Sequence, residues 1–458
     1  MRTPLSVVIL AAGKGSRMCS KKPKALQTLA GKYLIEHVLD TVEELGAEEI
    51  VLVHGHLGEQ LKDSLAHKSL KWVEQKDRLG TGHAVLQAMP SINPDNKVLI
   101  LYGDVPLISL DTLKHFVEVT RKGGLGILTA QVKNPLGLGR IIRNRFHEVE
   151  KIVEEKDATD LEKQIKEINT GIYCASAEHL NEWLPNLGNQ NAQGEYYLTD
   201  IVASAKQERI AVSVAQPINN FEIAGVNTRG ELAKLERIWH KNKVNILMEK
   251  GVSVADPARI EVRGDACVGQ DSWLDINVIL EGKVQIGEDC KIGANSIIIN
   301  STIADGVDIL PNSIIENATI ATGVSVGPFA RIRPGTTLAK DVKIGNFVEI
   351  KNSQINTGSK VNHLSYVGDA ELGESCNIGA GVITCNYDGA NKHKTVIGDN
   401  THVGSNCQLV APVELGKNVT IGAGSTITKK VKDNTLALTR SSQKSIEGWQ
   451  RPVKKKDS

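Results

Sequence analysis

An α/β chain in two parts is predicted by this sequence: an N-terminal domain on a mostly parallel sheet, then a parallel β-helix of six-residue periods. Three observations carry that prediction. From Val268 to about Val431 an aliphatic residue returns at every sixth position. Ahead of it, buried-strand runs alternate with amphipathic helical stretches, the pattern of a parallel sheet covered by helices. Between the two, a helical pattern runs from Arg229 to Lys250 and stops at Gly251. The expected boundaries are therefore 1–228, a linker helix over 229–250, and 251–458.

The ladder reads Val268, Leu274, Leu280, Ile286, Ile292; Ile303, Ile309, Ile315; Val326, Ile332, Leu338, Ile344, Ile350; Ile355, Val361, Val367; Leu372, Ile378; and Ile397, Val403, Leu409, Leu415, Ile421, Ile427. No α-helix has that period. Each hexad holds a short strand and a turn, so three make one triangular coil with the aliphatic positions stacked inside. A β-sandwich would instead need period two. The frame slips by one residue at places such as Ile350 to Ile355, and it breaks between Ile378 and Ile397, where residues 384–392 are expected to project as a loop.

With 458 residues the chain exceeds one typical core. Its 54 Lys and Arg nearly balance 53 Asp and Glu, so charge points to neither nucleic acid nor an anionic membrane as partner. The N-terminal apolar run, Val7 to Ala12, is far too short to span a bilayer, and the expectation is a soluble cytoplasmic protein without membrane insertion. Seven cysteines without C-x-x-C spacing argue against a disulfide framework and a zinc site. Cys290, Cys376 and Cys407 fall on the fifth hexad place and read as small coil residues.

In chain order, Ser6 to Ala12 is a buried strand that runs into Gly13-Lys14-Gly15-Ser16-Arg17-Met18. Such a junction offers backbone N–H groups and two cations to a phosphate. It has neither Walker A nor G-x-G-x-x-G spacing. Ile50 to Val53 and Val98 to Tyr102 read as strands, Leu34 to Val42 and Thr112 to Val119 as helices. The second strand ends in Gly103-Asp104, which sets a carboxylate at the crevice edge, where a Mg²⁺ beside substrate phosphates needs an oxygen ligand. Leu79 to Ala84, L-G-T-G-H-A, is a flexible turn at a helix start. Leu232, Leu235, Ile238, Trp239 and Ile246 keep approximate helical spacing along the connector.

L-A-A-G-K-G-S-R-M with Pro23-Lys24, Gln75 with L-G-T-G-H-A, L-Y-G-D-V-P, Gly139-Arg140-Ile141, Ile152-Val153-Glu154, Glu167 to Gly171, Gln193 to Asp200 and Gly225-Val226-Asn227 resemble the sugar nucleotidyltransferases, specifically the N-acetylglucosamine-1-phosphate uridylyltransferases. The resemblance implies a Rossmann-like domain that holds UTP and UDP-N-acetylglucosamine through Leu10, Ala11, Ala12, Gly13, Lys24, Gln75, Gly80, Thr81, Tyr102, Gly103, Asp104, Gly139, Glu154, Asn169 and Asn227. It implies Asp104 and Asn227 as Mg²⁺ ligands. One anion must attack another in this reaction, so charge has to be neutralised. Arg17 and Lys24 are the candidate catalytic cations, and no general base is required because the attacking oxygen is already ionised.

On the coil, Arg333 and Lys351 are eighteen residues apart without a slip and are expected to stack on adjacent turns. Two cations about 4.8 Å apart repel unless an anion joins them, which suggests a phosphate site. His363 and Tyr366 share the hexad that starts at Val361. R-I-R-P-G, G-N-F-V-E-I-K, H-L-S-Y-V-G-D, C-N-I-G-A-G-V-I-T-C-N-Y-D-G, V-G-S and L-T-R resemble the acetyltransferase half of the same bifunctional bacterial family. The resemblance implies a left-handed β-helix, with Arg333, Lys351, Tyr366 and Asn377 holding glucosamine 1-phosphate and His363 accepting its proton. It implies Ala380, Asn386, Tyr387, Ser405, Ala423 and Arg440 as the acetyl-coenzyme A site, and homotrimers formed through the coil.

The expected function is acetyl transfer to glucosamine 1-phosphate followed by uridylyl transfer from UTP, giving UDP-N-acetylglucosamine and pyrophosphate for peptidoglycan and lipopolysaccharide synthesis. The alternatives are a single-activity nucleotidyltransferase with a structural or regulatory coil, and a non-catalytic scaffold. Lys454-Lys455-Lys456 reads as a solvated tail.

Overall fold

The computed structural model describes residues 4–454 apart from 14 and 56, so Lys14, Lys455 and Lys456 lie outside the described residues. The chain divides into two units, Met1–Trp239 and His240–Ser458.

The first unit is a nine-stranded sheet covered by helices. Its central elements are β1 (Leu5–Ala11), α1 (Leu34–Leu45), β2 (Glu49–His54), β3 (Lys71–Glu74), α2 (Thr81–Ala88), β4 (Lys97–Tyr102) and α3 (Leu110–Val119). They are followed by β5 (Leu125–Gln131), β6 (Arg140–Arg143), β7 (Val149–Val153), β8 (Glu167–Ser176) and β9 (Val212–Ala215). The strand order is β9-β5-β8-β4-β1-β2-β3, with β6 paired to β8 and β7 paired to β6. β1 runs parallel to β2 and β4, and β2 to β3, while β8 is antiparallel to both neighbours. Val7, Val8 and Ile9 are fully buried because β1 is covered on both faces, which is why its sequence is a continuous apolar run. The chain goes from β1 to β2 and β3 on one side and then crosses back to β4 on the other, so a crevice opens at the carboxyl ends of β1 and β4.

The connector is helix α4 (Arg229–Glu249). It starts in a capping box: Thr228 Oγ1 accepts from Glu231 N–H at 3.2 Å, and Glu231 Oε2 accepts from the N–H groups of Asn227 and Thr228 at 2.7 and 2.9 Å. It ends where Gly251 adopts φ 92°, a left-handed conformation that glycine takes without a Cβ clash. Leu235 is buried in the first unit, with Leu232, Ile238 and Trp239 against the same cluster. The apolar spacing does not continue to Ile246, which is 46 % exposed. Val244 and Leu247 take the buried face there, in the core of the second unit. The two halves of the helix serve different cores, so one stripe does not run its length.

The second unit is a parallel coil. One face is an eleven-stranded ladder from Ser253–Val254 to Leu436–Ala437, and the other two faces are joined in a seventeen-stranded ladder. Every ladder position named above is buried, Ile298 and Ile320 fill two of the three gaps in the sequence count, and buried Thr384 stands in the third. Each such side chain contributes about 2 kcal/mol of apolar burial. At the fifth hexad place a second device recurs. Ser272, Ser359 and Thr401 donate hydroxyls to the carbonyls of Gly287, Gly373 and Gly416 at 2.9, 2.7 and 2.9 Å. Cys290, Cys376 and Cys407 occupy the same place, and their thiols reach the carbonyls of Ala304, Gly398 and Gly422 at 3.1, 3.2 and 3.3 Å. Burial pushes the Cys290 and Cys376 thiols up, so these cysteines are inert staples between coils.

Candidate active sites

In the first unit, the carboxyl ends of β1, β3 and β4 open on a cavity of about 310 Å³. Leu10, Ala11, Ala12, Gly13, Lys24, Gln75, Gly80, Thr81, Tyr102, Gly103 and Asp104 all line it. At one end Lys24 Nζ pairs with Asp104 Oδ2 and donates to Asn227 Oδ1 at 3.1 Å. Asn227 is placed by the α4 capping box, and Val226 N–H donates to the carbonyl of Asp104 at 2.9 Å. Two hard oxygens from distant segments thus converge on one cationic position, a donor set that fits Mg²⁺.

Gly139, Glu154 and Asn169 stand together outside that lining. Asn169 N–H donates to the Gly139 carbonyl at 2.9 Å, and the Glu154 carboxylate lies against Gly139. Burial, then the charges of Asp157 and Asp200, push the Glu154 carboxyl above its ordinary range. Tyr102 links the two groups: its ring lies over Gly171, and burial, Asp104 and Glu154 raise its hydroxyl. Arg17 is exposed and does not line the cavity. Arg78 and Glu195 do line it, although no spacing rule singled them out.

On the coil, Arg333 N–H donates to the carbonyl of Ile350, and Arg331 and Ile332 pair with Glu349 and Ile350, so Arg333 and Lys351 stack on adjacent turns. They are not bare cations. Arg333 Nη1 donates to Glu349 Oε1 at 2.7 Å and Lys351 Nζ lies 3.5 Å from Asp369 Oδ2, so mutual repulsion is not the argument for an anion there. A third cation, Lys392 on the projecting loop, sits beside Lys351, whose ammonium lowers the proton affinity of Lys392.

The register places Lys351 against Gly368, with Tyr366 two residues earlier against Glu349. The Tyr366 ring folds back over Gly368, where an added Cβ would fall 2.3 Å from the phenol oxygen. Only glycine leaves room for it. Asn386 donates to Tyr366 Oη at 3.4 Å and also pairs with Asp369, so Tyr366, Asp369 and Asn386 form one polar cluster around the cations. Burial alone would raise the Asp369 carboxyl, but Asn352, Asn386 and Lys351 outweigh it and hold it below the ordinary carboxylate range.

His363 lies on the neighbouring ladder, exposed, with its Nδ1 donating to Asn346 Oδ1 at 2.9 Å. That bond leaves Nε2 as the basic nitrogen. Asn377 starts the strand one turn further on, opposite Lys360. Ala380, Ser405 and Ala423 follow one another on successive turns: Asn406 N–H donates to the Ala380 carbonyl and Gly424 N–H to the Ser405 carbonyl. The Arg440 guanidinium lies near Gly422, next to Ala423 in the chain. Tyr387 is exposed and donates to the Gly389 carbonyl at 2.6 Å. Glu349, Asp369 and Asn346 were missed in sequence. Counting one coil back from Tyr366 and His363 would have found Glu349 and Asn346.

Comparison with known proteins places both halves. The MobA-like NTP transferase domain profile matches residues 7–168, and the bacterial transferase hexapeptide profile matches residues 394–429. The C-terminal domain of GMPPB matches 262–346 and 317–410. The "Bifunctional protein GlmU" of Francisella philomiragia is 59 % identical over 451 residues, covering 98 % of this chain and all of the relative. That of Marinobacter nauticus is 54 % identical, covering 99 % of this chain and all of the relative. That of Francisella tularensis subsp. novicida is 56 % identical, covering 99 % of both. The chain belongs to the GlmU family of bifunctional proteins.

Proposed function

We propose that one chain performs two successive transfers: acetyl from acetyl-coenzyme A to glucosamine 1-phosphate on the coil, then uridylyl from UTP to N-acetylglucosamine 1-phosphate in the sheet domain. The observation that supports this most directly is that Asp104, Asn227 and Lys24 converge in one half, while the other half by itself holds a cation cluster and a positioned imidazole. The match to hexapeptide transferases favours a catalytic coil over a merely structural one.

For uridylyl transfer, we assign Lys24 to the phosphate charge and Gln75, Gly80 and Thr81 to the nucleoside end. Gly139, Glu154 and Asn169 are assigned to the sugar, and Arg17 to phosphates as they enter. Asp104 and Asn227 would hold Mg²⁺, which when bound neutralises phosphate oxygens. For acetyl transfer, Arg333 and Lys351 face the sugar phosphate, with Tyr366 and Asn377 orienting the ring. His363 Nε2 takes a proton from the sugar ammonium, the free amine attacks the thioester carbon, and the C–S bond breaks with the coenzyme thiolate taking up the second proton that the nitrogen sheds as it becomes an amide. Ala380, Asn386, Tyr387, Ser405, Ala423 and Arg440 are assigned to acetyl-coenzyme A. The domains 1–228 and 251–458 carry the two activities, with 229–250 as linker.

The assay is direct. Acetyl-coenzyme A with glucosamine 1-phosphate should release free thiol, and UTP with N-acetylglucosamine 1-phosphate should release pyrophosphate; silence in either removes that half of the reading. Among the described residues no helix is long and apolar enough to cross a membrane. A cytoplasmic location agrees with substrates made there, and the product suits cell-wall synthesis.

Association through the coil is supported by an apolar ridge. Phe329, Phe347 and Leu364 are exposed by 50, 55 and 63 % on successive turns, all with left-handed φ, and the two rings stack at 5.3 Å. Each bulky residue in that conformation costs roughly 1 kcal/mol, a cost that burial against a partner offsets. Sedimentation equilibrium should give three times the chain mass; a monomer would sink the trimer.

A further inference from the structure

The hexads are interrupted by the loop between the strands Ile383–Cys385 and Thr395–Ile397. Its two sides form a hairpin: Tyr387 and Lys392 bridge antiparallel, and His393 N–H donates to the Asn386 carbonyl at 2.8 Å. At the tip one carboxylate gathers three donors. Asp388 Oδ1 accepts from the N–H groups of Ala390 and Asn391 at 2.8 and 2.6 Å, and Oδ2 lies 2.6 Å from His393 Nε2. The Asp388 N–H in turn donates to the Asn391 carbonyl at 3.1 Å, and Gly389 takes φ 98°, which lets the chain reverse. These bonds favour the ionised form and hold the Asp388 carboxyl well below the usual carboxylate range.

What the clasp holds in place is Lys392. On the turns of the coil that carry the cation cluster, Glu349 and Asp369 are already paired with Arg333 and Lys351. Lys392 brings a third cation to these two carboxylates and sits beside Lys351, so like charge opposes its approach until an anion arrives. A slack loop would let that ammonium swing away. Fixed by the hairpin, it leaves the cluster with a surplus positive charge, and a phosphate dianion can bind without first ordering the loop.

We propose that Asp388 is a positioning residue for acetyl transfer: by clasping Ala390, Asn391 and His393 it presets Lys392 for the phosphate of glucosamine 1-phosphate. This rests on the acetyl-transfer reading above. A native chain that releases no thiol from acetyl-coenzyme A with glucosamine 1-phosphate removes that reading and the proposal with it, whereas an active native chain with unchanged Asp388→Ala kinetics removes the proposal alone. The experiment measures thiol release by the full chain for the native protein, Asp388→Ala, Lys392→Ala and the double variant. Asp388→Ala is expected to raise KM for glucosamine 1-phosphate roughly 10-fold, with kcat and the KM for acetyl-coenzyme A within about 3-fold. Lys392→Ala should give a rise of similar size, and the double variant no more than about 3-fold beyond it, because both changes remove one contact. Rises that multiply to about 100-fold in the double variant would overturn the proposal. So would a rise in KM for acetyl-coenzyme A that matches the rise for the sugar, which would assign the clasp to the neighbouring Tyr387. Should Asp388→Ala abolish acetyl transfer at saturating substrates, Asp388→Asn takes its place, since its amide oxygen still accepts from the two backbone N–H groups. Its acceptor KM is expected to rise about 3-fold in the native background and not at all beside Lys392→Ala; an unchanged KM, or an equal rise in both backgrounds, counts against the clasp.

Discussion

His363→Ala is expected to lower acetyl transfer by 10²- to 10⁴-fold, on the order of a lost general base, and to leave uridylyl transfer within about twofold. The geometry behind this is the single bond from Nδ1 to Asn346 Oδ1, which leaves Nε2 to take the proton. The imidazole is exposed, and alanine removes no buried contact, so the effect should appear in kcat without a loss of fold. Asn346→Ala is a useful companion: losing the bond that orients the ring should cost less than losing the ring. Equal loss of both activities in His363→Ala would mean that the residue supports the structure and is not a proton acceptor. Thiol release and pyrophosphate release, measured on one preparation, distinguish the two cases.

The converse variant, Asp104→Ala, is expected to lower uridylyl transfer on the order of 10³-fold, the scale of a lost electrostatic contact at developing charge, and to spare acetyl transfer. Its carboxylate is the partner of Lys24 and converges with Asn227 on one cationic position. Asn227 itself should stay in place, because Glu231 holds its N–H through the helix cap. A milder change, Asp104→Asn, should raise the Mg²⁺ concentration needed for half-maximal rate. Pyrophosphate release persisting above a tenth of native in Asp104→Ala, or an unshifted Mg²⁺ requirement in Asp104→Asn, would remove this position from the metal site.

Much of the coil could be read without coordinates, because a hexad repeat allows only one arrangement in which its aliphatic residues are all buried. The stacking of Arg333 on Lys351 followed from counting alone, and the strand-to-loop junction at Gly13 and the carboxylate after β4 were legible because local backbone chemistry demands glycine and oxygen ligands there. The connector was legible in its helical spacing from Arg229 onward and in the Gly251 that closes it. Its apolar stripe was misread at Ile246, since which face is buried depends on which core each half meets.

The tertiary structure decided what counting could not reach. Register slips between turns determine that Tyr366 pairs with Glu349 and not Lys351, and the glycine at 368 then lets its ring return to the cations. Glu349 and Asp369 become the partners of Arg333 and Lys351 only once side chains choose rotamers across turns. Arg78 shows the limit most clearly: nothing in its sequence neighbourhood distinguishes it from a solvated arginine, and only the folding of β3 beside β2 brings it to the cavity. Periodicity determines which residues are inside a repeat, since burial is a property of position in the period. Which polar groups meet depends on contacts between segments far apart in the chain, and those exist only after the fold has formed.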